Sequence, residues 1–124
     1  MSTCQTNLNV PNDRAKMIMR GVSEDGDWKR IKIVLSYFPT LVYEDISYDK
    51  TGKTALHHIA WLADDNEQSL ECVNILAKYE GFDANILDDY GQTALDIAVS
   101  TDNIKIAKAI KKLGGIHKST FNIS

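Results

Sequence analysis

Apolar residues recur along this chain at the spacing of amphipathic helices, in segments separated by polar and glycine-containing stretches. Near the N-terminus, Ala15, Ile18, Met19 and Val22 fall on one face of a helix. Three later segments repeat an inward-facing pattern in register with one another: Ile31, Val34 and Leu35; Val73, Ile75 and Leu76; Ile106, Ala109 and Ile110. The pattern predicts an all-α fold whose helices share one continuous core.

The chain also contains an internal repeat. Residues 49–57 and 88–96 share the pattern D-x-x-G-x-T-A-L, and Gly91 lies 39 residues after Gly52. The two glycines are expected to adopt a positive φ in tight turns that project as fingers. Thr54 and Thr93 are expected to cap the helices that follow, with His57 and Asp96 reaching back to the caps.

This repeat resembles the ankyrin family, whose unit of about 33 residues is a turn followed by T-P-L-H-x-A and two antiparallel helices. The resemblance implies a short solenoid of about three repeats. Its expected segments are a disordered N-terminal tail (1–11), a capping repeat (12–47), a repeat with an insertion (48–86), a C-terminal repeat (87–116) and a C-terminal tail (117–124).

The insertion follows from the excess of the observed spacing over the family period. Aligning the two copies places five extra residues between Ala60 and Leu70. We expect them to lengthen the first helix of the middle repeat or the loop after it. Pro39 is expected to end the preceding helix, and residues 40–47 to form a long connection to the first finger.

Composition and charge exclude several classes of function. The chain has 124 residues, of which 44% are apolar and 25% charged, and its net charge is −3; these values are typical of one small globular domain. A pI near 5.5 provides no overall field to attract nucleic acid. No window approaches 18 apolar residues, and the N-terminus lacks a secretory signal. We therefore expect a cytoplasmic protein, or one in the host-cell cytoplasm if it comes from a pathogen or virus, and do not favour a membrane partner.

Few residues suggest metal binding. His57 and His58 are adjacent, so on a helix their side chains point about 100° apart and cannot easily share one ion. We expect a structural role for His57 and partial exposure of His58. Cys4 and Cys72 are far apart in the sequence, and Cys72 is expected to be a free, buried thiol.

Catalytic motifs are missing as well. The sequence contains no phosphate-binding loop, nucleophile elbow, zinc-protease motif or dinucleotide fingerprint. The acidic pairs Asp64-Asp65 and Asp88-Asp89 lie in polar stretches, where solvated charge is the expected state. We expect no enzymatic activity, no cofactor and no metal.

The resemblance to ankyrin repeats implies a concave binding surface for a protein partner, made of the finger tips and the exposed side of each first helix. In this sequence the corresponding residues are Lys50, Thr51, Lys53, His58, Trp61, Asp89, Tyr90, Gln92 and Ser100. Trp61 and Tyr90 are the expected hot spot, since tryptophan and tyrosine often dominate binding energy. Trp61 can equally fold under the inserted segment at residues 62–69, and the sequence leaves both positions open.

The expected function is a non-catalytic interaction module acting as an adaptor, inhibitor or host-directed effector, because the family resemblance extends to all three kinds of protein. An alternative is electrostatic anchoring to an acidic partner, nucleic acid or an anionic membrane. The residues for it would be the lysines of the last helix, Lys105, Lys108, Lys111 and Lys112. Nucleic acid is the less favoured of these because no aromatic residues interleave with the lysines.

Overall fold

The computed structural model describes residues 10–116, and regular structure in this part of the chain is entirely helical. The helices are α1 (Asp13–Glu24), α2 (Trp28–Tyr37), α3 (Ala55–Leu62), α4 (Glu67–Ala77), α5 (Ala94–Ser100) and α6 (Ile104–Lys112), with a 3₁₀ helix at Pro39–Val42. The predicted all-α fold is confirmed. Apart from Val10 and Pro11, the predicted tails (1–11 and 117–124) lie outside the described residues.

The helices form three antiparallel pairs that stack in two layers. The first helices pack in the order α1, α3, α5, and the second helices in the order α2, α4, α6. The predicted apolar pattern lies between the layers: Ile31, Leu35, Val73, Ile106 and Ile110 are fully buried. Each helix pair thus buries its apolar face against the next pair, as expected of a solenoid.

Local polar side chains fix where the helices begin. Asn12, Asp27 and Asn66 each accept a hydrogen bond from an amide in the first turn of α1, α2 and α4, respectively. At α5, the Asp96 amide donates to Thr93 Oγ1 at 3.1 Å and the Thr93 amide donates to Asp96 Oδ2 at 2.9 Å. This reciprocal pair is the capping box predicted from the spacing.

The insertion lies mainly at the start of α4, which begins earlier than the sequence indicated. Only two of the five extra residues precede α4, and residues 67–69 form an additional first turn of α4 relative to α6. The expectation that they lengthen the first helix or its loop is therefore largely wrong. Asn66 caps this extra turn by accepting a hydrogen bond from the Ser69 amide, and Ser69 is buried beside Gly26. The added turn therefore has both a hydrogen-bond partner for its amide and a packing contact.

The connection between α2 and the first finger belongs to the core. Leu41, Val42 and Ile46 are buried, and the 3₁₀ helix begins at Pro39. The expected long connection is thus a packed segment rather than a plain loop. It positions the first finger against α1, where Arg20 donates to the Ile46 carbonyl at 2.6 Å.

Candidate concave binding site

Two finger turns form one edge of the site. Gly52 and Gly91 have φ values of +82° and +75°, which confirms the predicted turns. The Asp89 amide of the second finger donates to the Thr51 carbonyl of the first at 2.8 Å. A Cβ on Gly52 would stand 2.9 Å from Asp89 Oδ1. Glycine at this position therefore allows both the positive φ and the close approach of the two fingers.

The two fingers are organised by aspartates at different positions. In the second finger, Asp88 Oδ1 accepts the amides of Tyr90 and Gln92 at 3.0 and 2.8 Å. In the first finger, the Gly52 amide donates to Asp45, which lies outside the repeated motif, at 3.1 Å. Burial alone would raise the pKa of both carboxyl groups. Hydrogen bonds from the Ser47 hydroxyl and amide and from the Gly52 amide lower the pKa of Asp45, and the Gln92 amide, the Lys53 ammonium and the Tyr90 amide lower that of Asp88.

A buried ion pair links the first finger to the second. Lys53 Nζ lies 3.1 Å from Asp88 Oδ2, and the Asp88 side chain is fully buried. The expectation of solvated charge at Asp88 is wrong, because the stacking of the repeats covers it. Lys53 is also far less exposed than a finger-tip residue, with 8% of its surface accessible.

Two aromatic rings enclose the same lysine. Lys53 Nζ lies 4.6 Å from the centre of the Tyr90 ring and 5.6 Å from that of Trp61. Both rings remain open to solvent on their other sides: Trp61 is 46% exposed and Tyr90 68% exposed. The sequence left open whether Trp61 is exposed or packs under the inserted segment, and in the structure its side chain is exposed.

His57 joins the cap of α3 to the second finger. The Thr54 amide donates to His57 Nδ1 at 3.1 Å, so this nitrogen carries no proton. Nε2 therefore carries the proton and donates to the Gln92 carbonyl at 3.1 Å. Burial lowers the pKa of His57, and the neutral ring serves the expected structural role.

His58 is buried rather than partly exposed. Its Nδ1 lies 2.9 Å from Glu24 Oε2 on α1, and only 3% of the residue is accessible. Burial lowers the pKa of His58, although the hydrogen bond to Glu24 opposes this effect. The Trp61 ring lies above it, with ring centres 6.0 Å apart. The expectation of partial exposure failed because α1 packs across this face of α3.

These elements surround a concave groove of about 850 Å³. Seven of the nine predicted binding residues line it: Thr51, Lys53, His58, Trp61, Tyr90, Gln92 and Ser100. Lys50 lines a neighbouring recess instead, and Asp89 is exposed on the second finger. We refer to the 850 Å³ cavity as the concave groove.

The first repeat contributes groove residues that the sequence interpretation missed. Arg20 and Glu24, one turn apart on α1, line the groove together with Tyr48. The Arg20 guanidinium carbon lies 5.8 Å from the centre of the Tyr48 ring, which is 86% exposed. Two features of the sequence could have indicated these residues. Arg20 and Glu24 are four residues apart on one face of a helix, and Tyr48 comes just before the first finger motif.

The lysines of α6 lie elsewhere. Lys105, Lys108, Lys111 and Lys112 are all exposed on the layer of second helices. The start of α6 is held by Asp65, whose carboxylate accepts the amides of Lys105 and Ile106 at 3.0 and 2.9 Å. The expectation of solvated charge at Asp65 is therefore wrong, since this residue caps a helix in the next repeat.

Cys72 is the free cysteine among the described residues. Burial raises the pKa of the free Cys72 thiol to about 12, so it behaves as the small buried apolar residue that was expected. Residues 10–116 contain no group of three or more histidine, cysteine or acidic side chains arranged to hold a metal ion. No helix in this part of the chain is long and apolar enough to cross a membrane.

Comparison with known proteins agrees with this architecture. The family model described as "Ankyrin repeats (3 copies)" matches residues 22–122, which is most of the chain. No curated protein sequence matches it. Ankyrin repeats generally serve as protein–protein interaction modules and are typically non-catalytic. With its repeated finger motif, its three stacked helix pairs and this match, the chain belongs to the ankyrin-repeat family.

Proposed function

We propose that this protein is a non-catalytic adaptor, inhibitor or host-directed effector that binds a protein partner in the concave groove. The surface centres on Trp61 and Tyr90, with Thr51, Gln92 and Ser100 around them and Arg20 and Tyr48 at the end formed by the first repeat. The proposed place of action is the cytoplasm, or the host-cell cytoplasm for a host-directed effector.

The observation that carries the proposal is the fixed position of the two aromatic side chains. Lys53 lies between their rings and is itself anchored by the buried carboxylate of Asp88. Rings held in this way lose little conformational entropy when a partner docks. Partly exposed, rigid tryptophan and tyrosine are the residue types that most often dominate binding energy.

The groove favours a partner segment that combines apolar and polar groups. Leu62 and Ile97 add apolar surface to the groove, while Arg20 and Glu24 present charge at the end formed by α1. A volume of about 850 Å³ accommodates a few side chains of a docked segment. We expect most of the affinity to come from the aromatic pair, and most of the orientation from the charged end.

The surroundings of the titratable groups support a role in binding rather than in catalysis. Both ring nitrogens of His57 are engaged in holding the fold, and His58 is tied to Glu24. The raised pKa of Cys72 removes its thiolate at neutral pH. None of these groups has the reactivity of a nucleophile or general base exposed to a substrate.

The test is affinity capture with quantitative mass spectrometry, comparing wild type with Trp61→Ala/Tyr90→Ala. The matched control is Ile33→Ala/Tyr37→Ala, which removes two similarly exposed apolar side chains from α2. We expect a protein retained by wild type and by the control to be lost with the groove variant. For the purified partner, affinity should fall at least about tenfold.

The result that would contradict the proposal is equal loss, or equal retention, of every captured protein in the two variants. Circular dichroism on both variants first establishes that each keeps the wild-type helix content. Tyr90 and Trp61 pack only on one side, so their truncation is not expected to unfold the chain.

A further inference from the structure

A second recess lies on the opposite layer of the molecule, between the second helices α4 and α6. It measures about 540 Å³ and shares no lining residue with the concave groove. Its apolar floor consists of Leu70 and Ala109, which are half-buried, and of Leu113, which is 37% exposed. Lys105, Lys108 and Lys112 form the rim, and Glu67 and Asn74 complete the lining. We refer to this recess as the α4/α6 groove.

The rim has a concentrated positive charge. Lys105, Lys108 and Lys112 follow one another three and four residues apart, so they lie along one face of α6. Within residues 10–116, none of their ammonium groups lies within 4.0 Å of a carboxylate. Glu67 is the one acidic residue among those that line the recess. In a chain of net charge −3, such a surface complements an acidic partner.

Helix stability does not account for this arrangement. Lysines in the last turn of a helix interact favourably with its dipole, which explains Lys111 and Lys112. Lys105, in contrast, lies in the first turn of α6, where the same dipole disfavours a cation and the Asp65 carboxylate offsets part of this effect. A surface that only keeps the end of a solenoid soluble also has no need of an apolar floor between its lysines.

We propose that the α4/α6 groove binds an acidic amphipathic segment of a second protein. Carboxylates spaced three and four residues apart would meet the three rim lysines, and an apolar side chain would enter between Leu70 and Leu113. No aromatic residue lines the recess, so bases would have nothing to stack on. The apolar groups line a concave surface between two helices, which suits an inserted side chain better than a bilayer surface. With partners on both layers, the chain would act as a bridge.

The probe is a fluorescein-labelled helical peptide of about 15 residues, with glutamates at spacings of three and four and leucines on the adjoining stripe. Its binding to the full chain is measured by fluorescence anisotropy. The test variant is Lys105→Gln/Lys108→Gln/Lys112→Gln. The control, Lys29→Gln/Lys32→Gln/Lys78→Gln, removes the same charge from exposed lysines outside the recess.

We expect the peptide to bind wild type, the control and Trp61→Ala/Tyr90→Ala equally, and the test variant at least about tenfold more weakly. Replacing the peptide leucines by serine should weaken binding as well. Raising the salt from about 50 to about 200 mM should weaken binding strongly, as for any site that pairs several charges.

The inference would be overturned by no binding of the peptide, by equal binding to the test variant and the control, or by no effect of the leucine replacements. It would also be overturned if a labelled single-stranded DNA or phosphatidylserine vesicles bound more tightly than the peptide with the same lysine dependence. The surface would then serve nucleic acid or a membrane. The concave-groove variant in the same assay shows whether the peptide binds at the concave groove instead, and the concave-groove proposal is tested separately by the affinity capture.

Discussion

The buried lysine at the first finger is the residue on which the concave groove depends most. Burial removes nearly all the water from the Lys53 ammonium group. The group instead pairs with the Asp88 carboxylate and lies over the faces of two aromatic rings. Breaking a buried ion pair by removing one partner is costly, because the other charge stays buried without compensation. The same lysine therefore links stability to the geometry of the groove.

Replacing Lys53 by methionine should lower the free energy of unfolding by about 3 kcal/mol. The reason is that Asp88 Oδ2 would keep its charge in a fully buried position without the ammonium group. Urea denaturation followed by circular dichroism measures the effect. The control is Lys50→Met on the same finger, an exposed position where we expect a change within about 0.5 kcal/mol.

Two outcomes bear on that interpretation. A Lys53→Met variant as stable as Lys50→Met would show that the ion pair contributes nothing. Adding Asp88→Asn to Lys53→Met should recover part of the loss, since it removes the unpaired charge. Trp61 fluorescence should also change in Lys53→Met, because the cation beside its ring is gone.

Residue roles were predictable where their cause was local. The capping pair Thr93 and Asp96 followed from a spacing of three residues, and the turn at Gly91 from its position in the motif. The burial of Lys53 and of His58 was not predictable. Their partners, Asp88 and Glu24, lie 35 and 34 residues away in the sequence and meet them only through stacking.

Among the elements, α6 shows how one repeat completes the next. Its N-cap residue, Asn103, makes no side-chain cap; its amide group donates to the Ala60 carbonyl instead. The cap is supplied by Asp65, from the loop between α3 and α4, which accepts two amides of the first turn. The inserted segment thus contributes to the stability of the repeat that follows it.

Asp65→Ala should lower the free energy of unfolding by about 1 to 2 kcal/mol, the usual effect of losing an N-terminal cap. Thermal or urea denaturation provides the measurement. The neighbouring Asp64 is exposed, so Asp64→Ala serves as a control that removes the same charge and should change stability by less than about 0.5 kcal/mol. Equal effects of the two substitutions would assign the loss to net charge rather than to the cap.

The existence of the insertion followed from the repeat spacing, but its position did not. Counting residues cannot distinguish a longer loop from an earlier helix start. The earlier start of α4 is fixed by the cap at Asn66 and by the packing of Ser69 against Gly26. Likewise, the 3₁₀ helix at Pro39–Val42 reflects burial of Leu41 and Val42 against the stack, which short-range patterns do not encode.

At the scale of the whole molecule, the two layers of helices present different chemistry. The first helices and fingers offer aromatic rings held by a buried cation, and the second helices offer a lysine rim around an apolar recess. The family resemblance anticipated the first surface and the sequence of α6 anticipated the lysines. The apolar floor of the α4/α6 groove required the structure, since Leu70 and Leu113 are 43 residues apart and meet only where α4 packs on α6.

The stability of the whole stack should depend on pH through its two buried histidines. Burial lowers the pKa of both His57 and His58. Asp88 near His57 and Glu24 near His58 oppose this effect, whereas Lys53 and Arg20 add to it. The net result is that the folded-state pKa of each histidine lies below its ordinary value. In the unfolded chain both histidines take up a proton below a pH of about 6.5, whereas in the folded chain they resist it. Stability is therefore full above this pH and declines as the pH falls toward the folded-state pKa values.

We expect the free energy of unfolding to fall by about 1 to 2 kcal/mol between pH 7 and pH 5.5, measured by urea denaturation at fixed ionic strength. Asp45 and Asp88 do not contribute in this range. Because folding lowers the pKa of both carboxyl groups, the stability that they provide is lost only below a pH of about 4. His57→Asn and His58→Gln should each be less stable at pH 7 yet show a smaller decline on acidification. A wild-type stability that stays level or rises over this range, or an undiminished slope in both variants, would rule out the histidines as its cause.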